Sequence, residues 1–78
     1  MDAIHSEIRT FLGKHFRAEL AVEDDIFALG FVNSLFAMQL VQFIEGQFGV
    51  EVESDDLELD NFRSIGAMGR FIARKRGE

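Results

Sequence analysis

Ser34 is the residue around which a chemistry can be built. It follows Asn33 in the run L-G-F-V-N-S-L at 29–35, where a long connection gives way to helical periodicity. A hydroxyl at a helix N-terminus lies among backbone N–H groups that lack intrahelical partners, at the positive end of the helix dipole. Both features favour a phosphate. The plainer alternative is capping, since Asn and Ser are among the commonest N-cap residues. His5 and His15 project toward an apolar stripe and read as edge histidines that pack a ring and wet a nitrogen. Two histidines without further ligands make no metal site. The segment E-V-E-S-D-D-L-E-L-D at 51–60 holds six carboxylates. It lacks the ligand spacing and terminal Glu of a calcium loop, so any cation there would be held loosely. No glycine-rich phosphate loop is present, and nothing supplies an oxyanion hole beside a serine and a histidine. Cysteine is absent, which removes thiolate metal sites and disulfides.

The elements that must position Ser34 can be read from periodicity, because the chain has no proline. Apolar residues at Ile4, Ile8, Phe11, Leu12 and Phe16 predict a first amphipathic helix over roughly 2–17, with Arg9, Thr10, Lys14 and Arg17 on its other side. Residues 18–33 exceed the usual connection of about 4–6 residues, so they should carry structure or function. Leu20, Val22, Ile26, Phe27 and Leu29 are expected to pin this loop to the core, with Gly30 as a turn of positive φ. A second helix is predicted from Asn33–Ser34 to Phe48, with Gly49 as its stop. Its buried face is Ala37, Leu40, Val41, Phe43, Ile44 and Phe48, with Phe36 at the edge. Leu35 and Met38 fall instead on the polar face beside Ser34, with Gln39, Gln42, Glu45 and Gly46. Val50 and Val52 alternate as a strand would, but no partner strand is available. An extended stretch and a short helical turn near 55–59 are expected, holding Leu57, Leu59 and Phe62 inward. Ser64 then caps a last helix striped by Ile65, Met68, Phe71 and Ile72. Gly66 and Gly69 weaken that helix by about 1 kcal/mol each unless another backbone approaches closely. The predicted core is Phe11, Phe16, Leu40, Ile44, Phe48, Met68 and Ile72.

Seventy-eight residues form a single domain over 1–78, too short for a cleft between lobes. The net charge of −6 argues against a nucleic-acid partner, which would need a basic face. No apolar run reaches the length of about 18 residues needed to span a bilayer, and no signal peptide opens the chain. A monomeric, cytoplasmic, all-α bundle is the expectation.

With those residues in view, the chain resembles the acyl carrier and peptidyl carrier proteins. The resemblance rests on DDIFALGFVNSLFAMQLVQFIEGQFGVEVE and covers nearly the whole chain. It implies a four-helix up-down bundle with a long first loop and a short third helix. It also implies that Ser34 carries a covalent 4′-phosphopantetheine arm from coenzyme A, beside Asn33 as the helix cap. The implied protein is no enzyme; it is a substrate of a phosphopantetheinyl transferase and of acyl-loading and acyl-modifying enzymes. Three departures refine this. Asn33 replaces the family's Asp, one extra residue separates Gly30 from Ser34, and Gln39 and Gln42 stand where fatty-acid carriers have acids. The extra residue is similar to D-alanyl carriers. GFVNSLFAMQLV with DLELDNFRS looks most like discrete carriers that supply methoxymalonyl or hydroxymalonyl extender units to polyketide synthases. A polyketide synthase acyltransferase would then be among the partners, and antibiotic biosynthesis the setting.

Partner docking is expected at Leu35 and Met38, with Gln39, Gln42 and Glu45 as the polar rim. The rival readings are a D-alanyl or aminoacyl carrier, a cofactor-free helical adaptor whose Leu35/Met38 patch is an ordinary interface, and a weak acidic-loop calcium binder.

Overall fold

The structure, a computed structural model, describes residues 2–16, 19–30 and 32–77. It contains four α-helices and no strand among the described residues: α1 Asp2–Gly13, α2 Ser34–Phe48, α3 Leu59–Phe62 and α4 Ile65–Lys75, with a 3₁₀ turn at Ser54–Asp56 before α3. Val50 and Val52 belong to no strand, as expected. The α1 helix ends at Gly13, short of the expected boundary. Winding continues as turns, with Lys14 N–H donating to the Phe11 carbonyl and His15 N–H to that of Leu12, at 3.1 and 3.0 Å. A tightened final turn of this kind is the usual end of a helix. The expected end at Arg17, and that side chain's place on the polar face, lie outside the described residues.

Both ends of α2 follow from local sequence. Asn33 is its N-cap, in extended backbone with φ −111°, and Gly49 stops it at φ 67°. The left-handed conformation there suits a residue without Cβ. In α4, Ser64 accepts a hydrogen bond from Ala67 N–H at 3.0 Å, and Ser64 itself is buried.

The core differs in composition from the expected one. Leu40, Ile44, Met68 and Ile72 are fully buried, as expected, together with Ile8, Ile26, Ile65 and Phe71. Phe11, Phe16 and Phe48 are only partly buried and pack against that centre. The rings prefer one another: Phe11 stacks on Phe43 at 4.2 Å, Phe16 meets Phe36 edge-on at 4.9 Å, and Phe48 meets Phe43 at 5.9 Å. Such pairs form an aromatic layer between α1 and α2, while branched aliphatic side chains fill the narrow middle. Phe36, expected at the edge, is buried within this layer. Leu57 and Leu59, expected to point inward, are 58% and 48% exposed, and Leu29 is exposed too. Segments this short turn one side chain inward per bend, and Phe62 takes that place.

The long loop is tied down by backbone as well as side chains. Ile26 N–H donates to the Arg63 carbonyl and Gly66 N–H to the Val22 carbonyl, both at 2.7 Å. Leu20 and Ile26 are buried beneath it, and the Arg9 guanidinium donates to the Leu20 carbonyl. Gly66 is therefore a close-approach glycine. A Cβ there would lie 2.9 Å from Val22 Cγ1 and closer still to the Glu23 carboxylate. Helix propensity favours Ala over Gly by about 1 kcal/mol, yet Val22 is a stiff β-branched residue held by its own backbone bond. Gly66→Ala is expected to lower stability, by about 1–3 kcal/mol as overpacking does, whereas relief of propensity alone would raise it. A urea titration decides the sign.

Two cations of α4, Arg70 and Lys75, clasp this fold through ion pairs. Arg70 reaches Glu23 with hydrogen bonds of 3.0 and 3.3 Å, and Lys75 Nζ lies 2.8 Å from Asp56 Oδ2. Arg70 holds the Glu23 carboxyl below its ordinary value of 4.5, and Lys75 with the Glu53 N–H holds that of Asp56 below 3.8. Lowered carboxylate values stabilise the fold above the unfolded-state value, and that contribution disappears as pH falls through the folded-state value. Stability is thus expected to be level above about pH 4.5 and to decline below it. The decline should be shallower in Lys75→Met, as urea titrations across the acid range would show.

Candidate attachment site at the start of α2

Ser34 owes its position to a chain of local hydrogen bonds. Asp25 Oδ1 accepts from Phe27 N–H and Ala28 N–H, both at 3.0 Å, which winds the end of the loop into a turn. Leu29 N–H then donates to the Asp25 carbonyl and Gly30 N–H to that of Phe27. Gly30 leaves the turn at φ 81°, as its expected role requires. Phe31, within the motif, lies outside the described residues. Val32 is half-buried, and Asn33 Oδ1 accepts the Phe36 N–H at 2.9 Å. The capping bond therefore belongs to Asn33, and Ser34 is the first residue of the helix proper.

That division of labour matters chemically. Ser34 is exposed, and among the described residues its hydroxyl makes no hydrogen bond. No acidic residue occupies the first turn of α2. The positive end of a 15-residue helix is thus uncompensated and open to an anion. Among the described residues no histidine or carboxylate bonds to the hydroxyl, so they offer no base to activate it.

The chain's other serines lack this setting. Ser64 is spent on its cap and buried. Ser54 opens a 3₁₀ turn of three residues between Glu53 and Asp55, where carboxylates repel a phosphate. Ser6 sits in mid-helix, its carbonyl taking the Thr10 hydroxyl.

Beside Ser34 the expected docking residues divide. Leu35 and Met38 are 67% and 63% exposed on the side away from the core. Gln39 and Gln42 are exposed with them. Glu45 is half-buried, and its Oε2 accepts the Val52 N–H at 2.9 Å, so this carboxylate braces the following segment. Sequence reasoning missed an apolar surface that extends from the Met38 side. A groove of about 260 Å³ is lined by Phe27, Ala37, Leu40, Val41, Leu57, Leu59 and Phe62. The signal was present in D-L-E-L-D, where leucines two apart among acids cannot both turn inward from so short a helix.

The remaining candidates contribute little. His15 packs against Phe11 and Phe36, each at 4.9 Å between ring centres. His5 is half-buried with its Nε2 buried and unbonded, which differs from the wet nitrogen expected. Among the described residues no three histidine, aspartate or glutamate groups converge on a metal position, and Glu53 and Asp56 already face Lys75. No helix among the described residues is long and apolar enough to cross a membrane.

Comparison with curated proteins and with solved structures gives no match. Comparison with family models gives one, the phosphopantetheine attachment site, over residues 2–72. The exposed serine at an open helix N-terminus suits that group, whose phosphate needs N–H donors and whose bulk needs free space. The match covers α1 through Ile72 of α4, and so includes every element that positions Ser34. The chain belongs to the phosphopantetheine attachment-site family, as a carrier domain bearing covalent 4′-phosphopantetheine for acyl-handling enzymes rather than as a catalyst.

Proposed function

We propose that Ser34 is the attachment residue and that the chain is an acyl carrier whose cargo is a polyketide extender unit. The observation that carries the site is the exposed, unbonded Ser34 hydroxyl at the uncompensated start of α2. Asn33 holds the first turn, so Ser34 Oγ is free to form the phosphodiester without disturbing the helix. No described residue bonds to the Ser34 hydroxyl, so the transferase supplies the base, while α2 orients the hydroxyl. When bound, the arm supplies a terminal thiol that holds the acyl group as a thioester. Tethering raises the effective concentration of cargo at each docked enzyme. The extender-unit assignment is supported by the resemblance of GFVNSLFAMQLV and DLELDNFRS to discrete carriers of that kind. The spacing from Gly30 to Ser34 keeps an aminoacyl cargo as the second reading. Incubation with coenzyme A and a phosphopantetheinyl transferase, followed by intact-mass measurement, should show the gain of one phosphopantetheinyl group. An unchanged mass would favour the cofactor-free adaptor.

Docking rests on Leu35 and Met38, two large apolar side chains that the described residues leave mostly exposed. They lie within two helical turns of Ser34, so a partner guiding the arm must pass over them. Met38→Ala is expected to lower transfer efficiency from an acyl-loading enzyme by more than about 1 kcal/mol. Glu45→Gln, which can still accept the Val52 N–H, should cost less, and raising salt should weaken transfer only mildly. Steep salt dependence with a silent Met38 would point to the acidic segment at Asp55 and Asp56 instead. Transfer kinetics at low and high salt distinguish these outcomes.

A further inference from the structure

Two apolar recesses lie along α2, and one side chain from outside that helix borders both. The first, of about 260 Å³, is lined by Phe27, Ala37, Leu40, Val41, Leu57 and Phe62 among others. The second, of about 370 Å³, is lined by Ala37, Met38, Val41, Gln42, Glu45 and Leu57. Ala37 and Val41 form a floor common to both, and Leu57 is the only other residue they share. It comes from the segment after α2, not from α2 itself. That segment carries little apolar anchorage at this point, since Leu57 is more than half exposed.

Polar contacts hold it instead, and they converge on Asp56. Its Oδ2 accepts the Glu53 N–H at 3.0 Å and the Lys75 ammonium at 2.8 Å. Its carbonyl accepts the Glu58 N–H and the Asn61 side-chain amide, each at 2.8 Å. Lys75 also reaches Glu53 at 3.6 Å, and Arg74 holds Asn61 Oδ1 at 2.9 Å. At the other end Glu45 braces Val52. The contacts that set Leu57 therefore include two side chains from the last turn of α4, Lys75 and Arg74. Partly exposed ion pairs are individually weak. A clasp made of them can open without unfolding the core.

We propose that residues 53–58 form a strap latched by Lys75 to Asp56, which holds Leu57 as a removable partition between the two recesses. With the latch closed, two short apolar pockets flank Leu57. With it open, Ala37 and Val41 become the floor of one continuous trough running from Met38 toward Phe62. This device belongs to the apoprotein and needs neither the arm nor a partner.

The test uses the unmodified full chain, with Nile red as a neutral apolar probe and amide hydrogen exchange as the readout of the strap. Lys75→Met should speed exchange at Glu53, Asp56, Leu57 and Glu58, while Ile26 and Gly66, bonded elsewhere, keep their protection. It should also tighten Nile red binding by about threefold, since the open form is the competent one. Leu57→Ala should tighten binding to a similar degree with the strap's exchange unchanged, because it removes the partition and leaves the latch. Unchanged exchange in Lys75→Met, exchange that accelerates equally at Ile26 and Gly66, or unchanged Nile red binding in Leu57→Ala would each overturn the proposal.

Discussion

Ser34→Ala is expected to abolish phosphopantetheinylation completely while leaving the fold as it is. The cap bond of α2 belongs to Asn33 Oδ1 and Phe36 N–H, and the Ser34 hydroxyl bonds to nothing among the described residues. Its loss therefore removes no contact, and Ala is at least as good as Ser inside a helix. The stability change should stay within about 0.5 kcal/mol, as for a surface substitution away from special features. Asn33→Ala is the opposite case. It removes the cap and should cost about 1 kcal/mol, yet it leaves the nucleophile in place, so modification should persist. Intact mass and a urea titration on the two variants separate attachment from capping. Mass gain that survives in Ser34→Ala would end the assignment, and a large stability loss there would show that the serine serves the helix.

The largest stability effect is expected at Phe71. It is 1% exposed, its ring lies 5.3 Å from that of Phe62, and the Arg74 guanidinium covers it at 5.9 Å. Phe71 therefore joins α4 to α3, and α3 is a four-residue helix that cannot stand alone. Truncating a buried Phe to Ala costs about 3–5 kcal/mol. A domain of this size has about 3–5 kcal/mol in total from its core. Phe71→Ala should consequently be largely unfolded at 25 °C, with the loss of most far-ultraviolet helical signal. Leu29→Ala, at an exposed position, should unfold within about 0.5 kcal/mol of wild type. Similar losses in both variants would contradict the core described here.

The contrast between these two positions shows what a single sequence could and could not convey. Helix boundaries were legible where a residue type has one local use, at Asn33, Gly49 and Ser64. The place of Ser34 at the exposed start of α2 was legible for the same reason, aided by two leftover apolar residues, Leu35 and Met38, on a polar face. The burial of Ile26 was legible only as one of five possible anchors. Its place depends on a backbone bond to Arg63, far along the chain, which no local pattern encodes. Phe11, Phe16 and Phe48 misled because hydrophobicity reports that a ring avoids water, not whether it enters the centre or stacks at the rim. Leu57 and Leu59 misled in the reverse direction. They read as core, but the acidic segment that bears them is held by Lys75 and Arg74, and its one inward place goes to Phe62. Glu45 read as rim charge, and the Val52 N–H it accepts could be seen only in three dimensions.

The central claim is that the arm is carried at Ser34, and fragmentation mass spectrometry of the modified wild-type chain tests it most directly. After loading from coenzyme A by a phosphopantetheinyl transferase, the mass increment should appear only in fragments that contain Ser34. Fragments bearing Ser6, Ser54 or Ser64 alone should be unmodified. An increment on any of those three serines, with Ser34 bare, would contradict the account.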